Sequence, residues 1–77
     1  MTIREVHYHY LRTSANSEPR RCTSLAEALT AIKDLIHLQR GRDFVTTRDD
    51  DGKHTSRHVD GRAVQFWAEN ERGDIVS

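Results

Sequence analysis

Residues 24–40 read SLAEALTAIKDLIHLQR, and this stretch decides the fold. Apolar side chains recur at Leu25, Ala28, Leu29, Ile32, Leu35 and Ile36, the i, i+3, i+4, i+7 spacing of a helix with one buried stripe. Glu27, Thr30, Lys33, Asp34 and His37 fall on the opposite side and are expected to face water. Ser24 and Glu27 form an S-x-x-E capping box, in which each side chain satisfies a free backbone donor of the first turn. Gly41 stands where a left-handed residue would end the helix. Arg40 in the last turn, with His37 just before it, suits the negative end of the helix dipole. Such a helix is roughly 25 Å long at 1.5 Å per residue, enough to cover a small sheet.

Strand signals lie on both sides of it. Residues 3–12 alternate, with Val6, Tyr8 and Tyr10 on one face and Glu5, His7 and His9 on the other. The tyrosine face is expected to be core. Residues 13–19 are polar and turn-rich, and Arg20 to Thr23 can return as a short second strand. After the helix, Phe44 to Arg48, Lys53 to Val59 and Arg62 to Asn70 form a meander punctuated by Asp51-Gly52 and Asp60-Gly61. Arg72-Gly73-Asp74 can turn the chain once more, leaving Ile75 and Val76 as a short terminal strand or a tail.

Two-residue loops at both Asp-Gly steps would set the register. Phe44, Val59, Val64, Phe66 and Ala68 would then seat the helix. The opposite face would show the rows Asp49–His54–Trp67, Thr47–Ser56–Gln65 and Val45–His58–Ala63. A slip of one residue would exchange the faces. The expected fold is therefore α+β, in β-(β)-α-β-β-β order. One helix packs on one face of an antiparallel sheet of four or five strands, in a single domain spanning residues 1–77.

Composition narrows the function. The chain has 77 residues, and its 12 basic and 12 acidic side chains cancel. That balance argues against a nucleic-acid backbone as main partner, which demands a basic excess. The segment 1–23 is mildly basic and 43–77 mildly acidic. A chain this short has a thin core, which self-association would help. The single cysteine, Cys22, allows no internal disulfide and favours a reducing compartment. No apolar run approaches the ~20 residues that span a bilayer. The start, MTIREVHYHY, lacks the apolar segment of a signal peptide. A cytoplasmic protein is expected.

The chemistry-bearing residues support no strong motif. Five histidines invite a metal, but His54 and His58 on a strand stand ~13 Å apart, too far to share an ion held at ~2 Å. His7 and His9 are ~7 Å apart on one face, with no further ligands in evidence. No metal or cofactor is expected. Asp49, His54 and a nearby hydroxyl resemble triad ingredients without a nucleophile elbow, and a chain this small builds no deep dry pocket. Arg20, Arg21 and the helix N-terminus could activate Cys22, although a structural thiol is the simpler reading.

Two binding readings remain. In the first, Trp67, His54, His58 and the acidic tip Asp49, Asp50 and Asp51 lie on the face or loop the helix leaves bare and dock on a larger protein. In the second, Arg20, Arg21, Arg40 and Arg42 bind nucleic acid, with Tyr8, Tyr10 and Trp67 as stacking groups.

The stretch RRCTSLAEALTAIKDLIHLQRGRDFVTTRDDDGK, Arg20 to Lys53, carries a strand, a capped helix, a strand and an Asp-Gly turn. This order resembles that of small phage and mobile-element proteins, the anti-CRISPR proteins among them. The resemblance covers under half of the chain and implies a non-enzymatic blocker of a larger host protein or complex. It implies no particular functional residue. The expectation is thus a small protein-binding inhibitor, with a homodimer compatible. Nucleic acid is the alternative partner, and a membrane is not expected.

Overall fold

The computed structural model describes residues 8–14 and 16–76. The elements run β1 (His9–Thr13), β2 (Asn16–Cys22), α1 (Leu25–Gly41), β3 (Phe44–Arg48), β4 (His54–His58), β5 (Ala63–Asn70) and β6 (Ile75–Val76). The sheet order is β2-β1-β5-β4-β3, with β6 also paired to β5. Every pairing is antiparallel. The α+β architecture is as expected, with six strands among the described residues where four or five were anticipated. Val6 and His7 lie outside the described residues.

The helix forms where its apolar stripe predicts. Ser24 Oγ accepts from the Glu27 backbone N–H at 3.1 Å. The Glu27 carboxylate reaches back one residue further than a standard box, accepting from Thr23 N at 2.9 Å and Thr23 Oγ1 at 2.7 Å. The other end differs from expectation. Gly41 is still helical, and the left-handed residue is Asp43, at φ 66°. Asp is one of the few side chains that tolerate this region.

The helix lies on one face of the sheet, where Ala28, Ala31 and Ile32 meet Leu11, Cys22, Phe66 and Ala68 in a single small core. Phe66 is 1% exposed. Burying a side chain of that size contributes about 1.5–3 kcal/mol. The tyrosines are not part of this core. Leu11 faces the helix, so its neighbours Tyr10 and Arg12 point to the other side. β2 is longer than the sequence suggests. It starts at Asn16, directly after the turn, and carries Pro19 inside an edge strand, where a missing N–H is tolerated.

Three hairpin loops share one geometry. In Asp49–Lys53, His58–Arg62 and Asn70–Asp74, the first residue donates its N–H to the fifth residue's carbonyl at 2.8–2.9 Å. In each, the glycine at the fourth place donates back to the first carbonyl at 3.0 Å. Gly52, Gly61 and Gly73 have φ of 90°, 94° and 83°, the left-handed residue that closes a three-residue loop.

These loops are one residue longer than the two-residue turns read from Asp-Gly, so the register slips by one. Arg48 opposes His54 and Thr47 opposes Thr55, while His54 opposes Phe66 and Ser56 opposes Val64. Phe44, Val64, Phe66 and Ala68 keep the helix side. Val59 sits in a loop and is 96% exposed. The residues of β4 change sides: His54, Ser56 and His58 lie under the helix, and Thr55 and Arg57 face away from it.

Candidate interaction face

The face of the sheet opposite the helix is uncovered among the described residues. It is built from alternate positions of β1, β5 and β4, and Trp67 stands at its centre. Arg12 opposes Trp67 from β1. On the β4 side the next residue beyond the His54–Phe66 pair is Lys53, whose ammonium lies 4.4 Å from the Trp67 ring centroid. Trp67 Nε1 donates to Glu69 Oε2 at 2.8 Å, and the same oxygen pairs with Arg12 Nε. The indole edge is thereby fixed while its face keeps a cation beside it. Tyr10 opposes Glu69 on β1, diagonally next to Trp67, and Arg21 of β2 opposes Tyr10 and lies over the Tyr8 ring at 4.6 Å.

The acidic tip adjoins this face. Asp49 Oδ2 accepts from Thr55 Oγ1 at 2.6 Å, and Gln65 Nε2 donates to the same hydroxyl at 3.2 Å. This satisfies the buried Thr55. Asp51 Oδ1 accepts from the Lys53 N–H at 3.0 Å and shapes the loop, while Asp50 is exposed. Trp67 and the tip thus share one side of the molecule with cations that the sequence did not single out.

His54 and His58 belong elsewhere. The His54 ring lies almost parallel to Phe66, with centroids 5.6 Å apart and planes at 13°. Burial holds its pKa below the ordinary imidazole value, Arg48 pushes the same way, and Asp49 opposes them. His58 packs against Phe44 at 5.2 Å, and its Nδ1 meets Asp60 at 2.9 Å. Neither imidazole reaches the uncovered face, because the register slip moves both to the helix side. Asp49 and His54 share no hydrogen bond among the described residues.

The four arginines of the nucleic-acid reading do not converge. Arg20 and Arg21 precede the helix and point to opposite sides of β2, while Arg40 and Arg42 lie at its far end, roughly 25 Å away. Cys22 is fully buried in the core, and desolvation followed by the Glu27 charge raises its thiol pKa. No group of three or more metal-ligating side chains occurs among the described residues. Among the described residues, no helix is long and apolar enough to cross a membrane.

Arg12, Lys53, Glu69 and Arg57 complete the face. The alternation of β5 around Trp67 was visible in the sequence. The pairing of β5 with β1, which brings Arg12 beside Trp67, joins strands more than fifty positions apart. No protein-family model, curated protein or solved structure matches the chain.

Proposed function

We propose that the chain is a small non-enzymatic, cytoplasmic module that docks on a larger host protein by the uncovered face of its sheet and blocks the complex to which that protein belongs. The observation that carries the docking surface is Trp67, fixed by Glu69 and flanked by Lys53 and Arg12 on a face that no element covers among the described residues. Trp and Arg are both enriched among the residues that anchor protein interfaces. The blocking role follows the resemblance to small phage and mobile-element inhibitors. Cytoplasmic residence rests on the lone buried thiol of Cys22.

Charge selects the kind of partner. Lys53 and Arg12 flank Trp67, Arg21 lies over Tyr8 and Arg57 stands further along the same face, so the matching surface carries carboxylates. The tip Asp49, Asp50 and Asp51 at the rim asks for a basic neighbour beside them. Such mixed charge fits a protein better than a nucleic acid. Glu69 in the middle and three aspartates at the edge both repel phosphate, and the whole chain has no net charge.

The test is capture from lysate of the native host, with and without nuclease, using the natural chain, Trp67→Ala and an Asp49→Ala/Asp50→Ala/Asp51→Ala variant. A stoichiometric protein that survives nuclease and is lost with Trp67→Ala supports the reading. Retention by both variants removes the face from consideration. Recovery that requires nucleic acid and weakens steeply with salt transfers the function to the arginines. A clean dimer that captures nothing assigns the face to a second copy.

A further inference from the structure

We propose that the free edge of β3, with the groove between it and α1, takes up an extended acidic segment of a partner protein as an added strand. This surface is separate from the Trp67 face and does not rest on the reading given above.

Among the described residues the longer strands leave two edges, β2 and β3, beside the two-residue β6, and the two differ. β2 carries Glu18, Pro19, Arg20 and Arg21, charges and a proline that discourage strand addition. β3 reads FVTTR, without proline, lysine or acid, and its Val45 is 70% exposed. The orientation of its free backbone groups follows from the hairpin. Asp49 donates to Lys53 O at 2.8 Å, so Asp49–Lys53 is a hydrogen-bonded pair. Bonded and non-bonded pairs alternate in an antiparallel ladder. Thr47 and Val45 are therefore bonded to β4, while the N–H and C=O groups of Phe44, Thr46 and Arg48 point outward.

The side chains of Phe44, Thr46 and Arg48 stand on the helix side. Side chains of an added strand on that side would therefore enter the groove. Two clefts of about 360 and 310 Å³ lie there and share Ile36 as a wall. Ile36 and Phe44 line the first with Arg40; Leu29, Ile32 and Val76 line the second with Lys33 and Arg48. No aspartate or glutamate lines either cleft. An aliphatic floor under three cations suits an extended peptide whose carboxylates alternate with small apolar residues. A second copy suits it less well, because pairing β3 with its twin would bring the Lys33, Arg40 and Arg48 flanks of both chains together. The aspartates beyond Arg48 end the cationic stretch, which limits the occupant to about five residues, the usual length of a strand.

The probe is a blocked synthetic heptapeptide of alternating Glu and Val, titrated into the full chain and followed by heteronuclear NMR and amide hydrogen exchange. Saturable shifts at Thr46, Arg48 and Ile36, with slower exchange of the Thr46 and Arg48 amides and weakening by salt, are the expected result. The charge-reversed Arg40→Glu/Arg48→Glu chain alters only exposed side chains. It should lose about tenfold in affinity, equivalent to ~1.4 kcal/mol, and gain binding of the matching Lys-Val peptide. Arg48→Pro removes an outward N–H without touching the β4 ladder and should also weaken binding. Absence of shifts along β3 overturns the proposal. Equal binding of the Lys-Val peptide by the natural chain overturns it too, as does a dimer that protects the same amides without peptide.

Discussion

Lys53 stands over Trp67, its ammonium 4.4 Å from the ring centroid, across the open end of the β4–β5 hairpin. Trp67 can be removed without opening the core, because its side chain lies on the face away from α1. Trp67→Ala should leave the far-ultraviolet circular dichroism unchanged and weaken partner capture by about 2 kcal/mol or more, roughly thirtyfold. Lys53→Ala removes one cation–π contact worth about 0.5–1 kcal/mol and should weaken capture by less than tenfold. Calorimetry of both variants against the captured partner checks the ranking. Equal effects would place the anchor elsewhere.

His54 gives the fold a pH dependence of known sign. Its folded pKa lies below the ordinary 6.5, chiefly through burial. The unfolded chain therefore takes up this proton first. Stability is full above about pH 7 and falls as the pH drops through the ordinary imidazole range, levelling off once the folded state is protonated as well. His54→Gln should flatten this part of the profile. Thermal melts of both chains between pH 7.5 and about pH 5 provide the check, and parallel profiles would exclude His54 as the source.

The order of elements, the helix and its N-terminal cap were legible because each rests on local chemistry. Ser24, Glu27 and the stripe from Leu25 to Ile36 need no distant partner to declare themselves. The faces of β4 were not legible. Asp51-Gly52 and Asp60-Gly61 are compatible with a two-residue loop and with a three-residue loop closed by a left-handed glycine, and one residue of difference moves His54 and His58 across the sheet. Trp67 escaped this error because Phe66 and Ala68, its own strand neighbours, fix its direction. Arg12 could not be placed beside it, since nothing local signals that β1 pairs with β5.

Cys22 should be inert. It is fully buried, its pKa is raised by desolvation, and its thiol lies 3.9 Å from the Arg20 carbonyl. Reaction with an aromatic disulfide reagent at pH 8 should require unfolding, so the rate should rise steeply with denaturant. Cys22→Ser would bury a hydroxyl in this apolar core and should cost about 1–3 kcal/mol. Rapid labelling of the native chain would show that the N-terminal end of α1 opens.

Gly52 and Gly61 occupy equivalent places in their loops but have different surroundings. Both have φ near 90°, where any Cβ is strained. At Gly61 an added Cβ meets nothing within 4 Å, whereas at Gly52 it meets Ile75 Cγ2 at 3.0 Å. Gly61→Ala should therefore cost only the backbone term, about 1–2 kcal/mol. Gly52→Ala should cost more, because Ile75 must yield and β6 with it. Ile75→Ala clears that space, so Gly52→Ala made in an Ile75→Ala background should cost no more than Gly61→Ala. Urea denaturation of the four variants measures this coupling directly. A Gly52→Ala cost that is the same with and without Ile75 would show that β6 does not press on the tip.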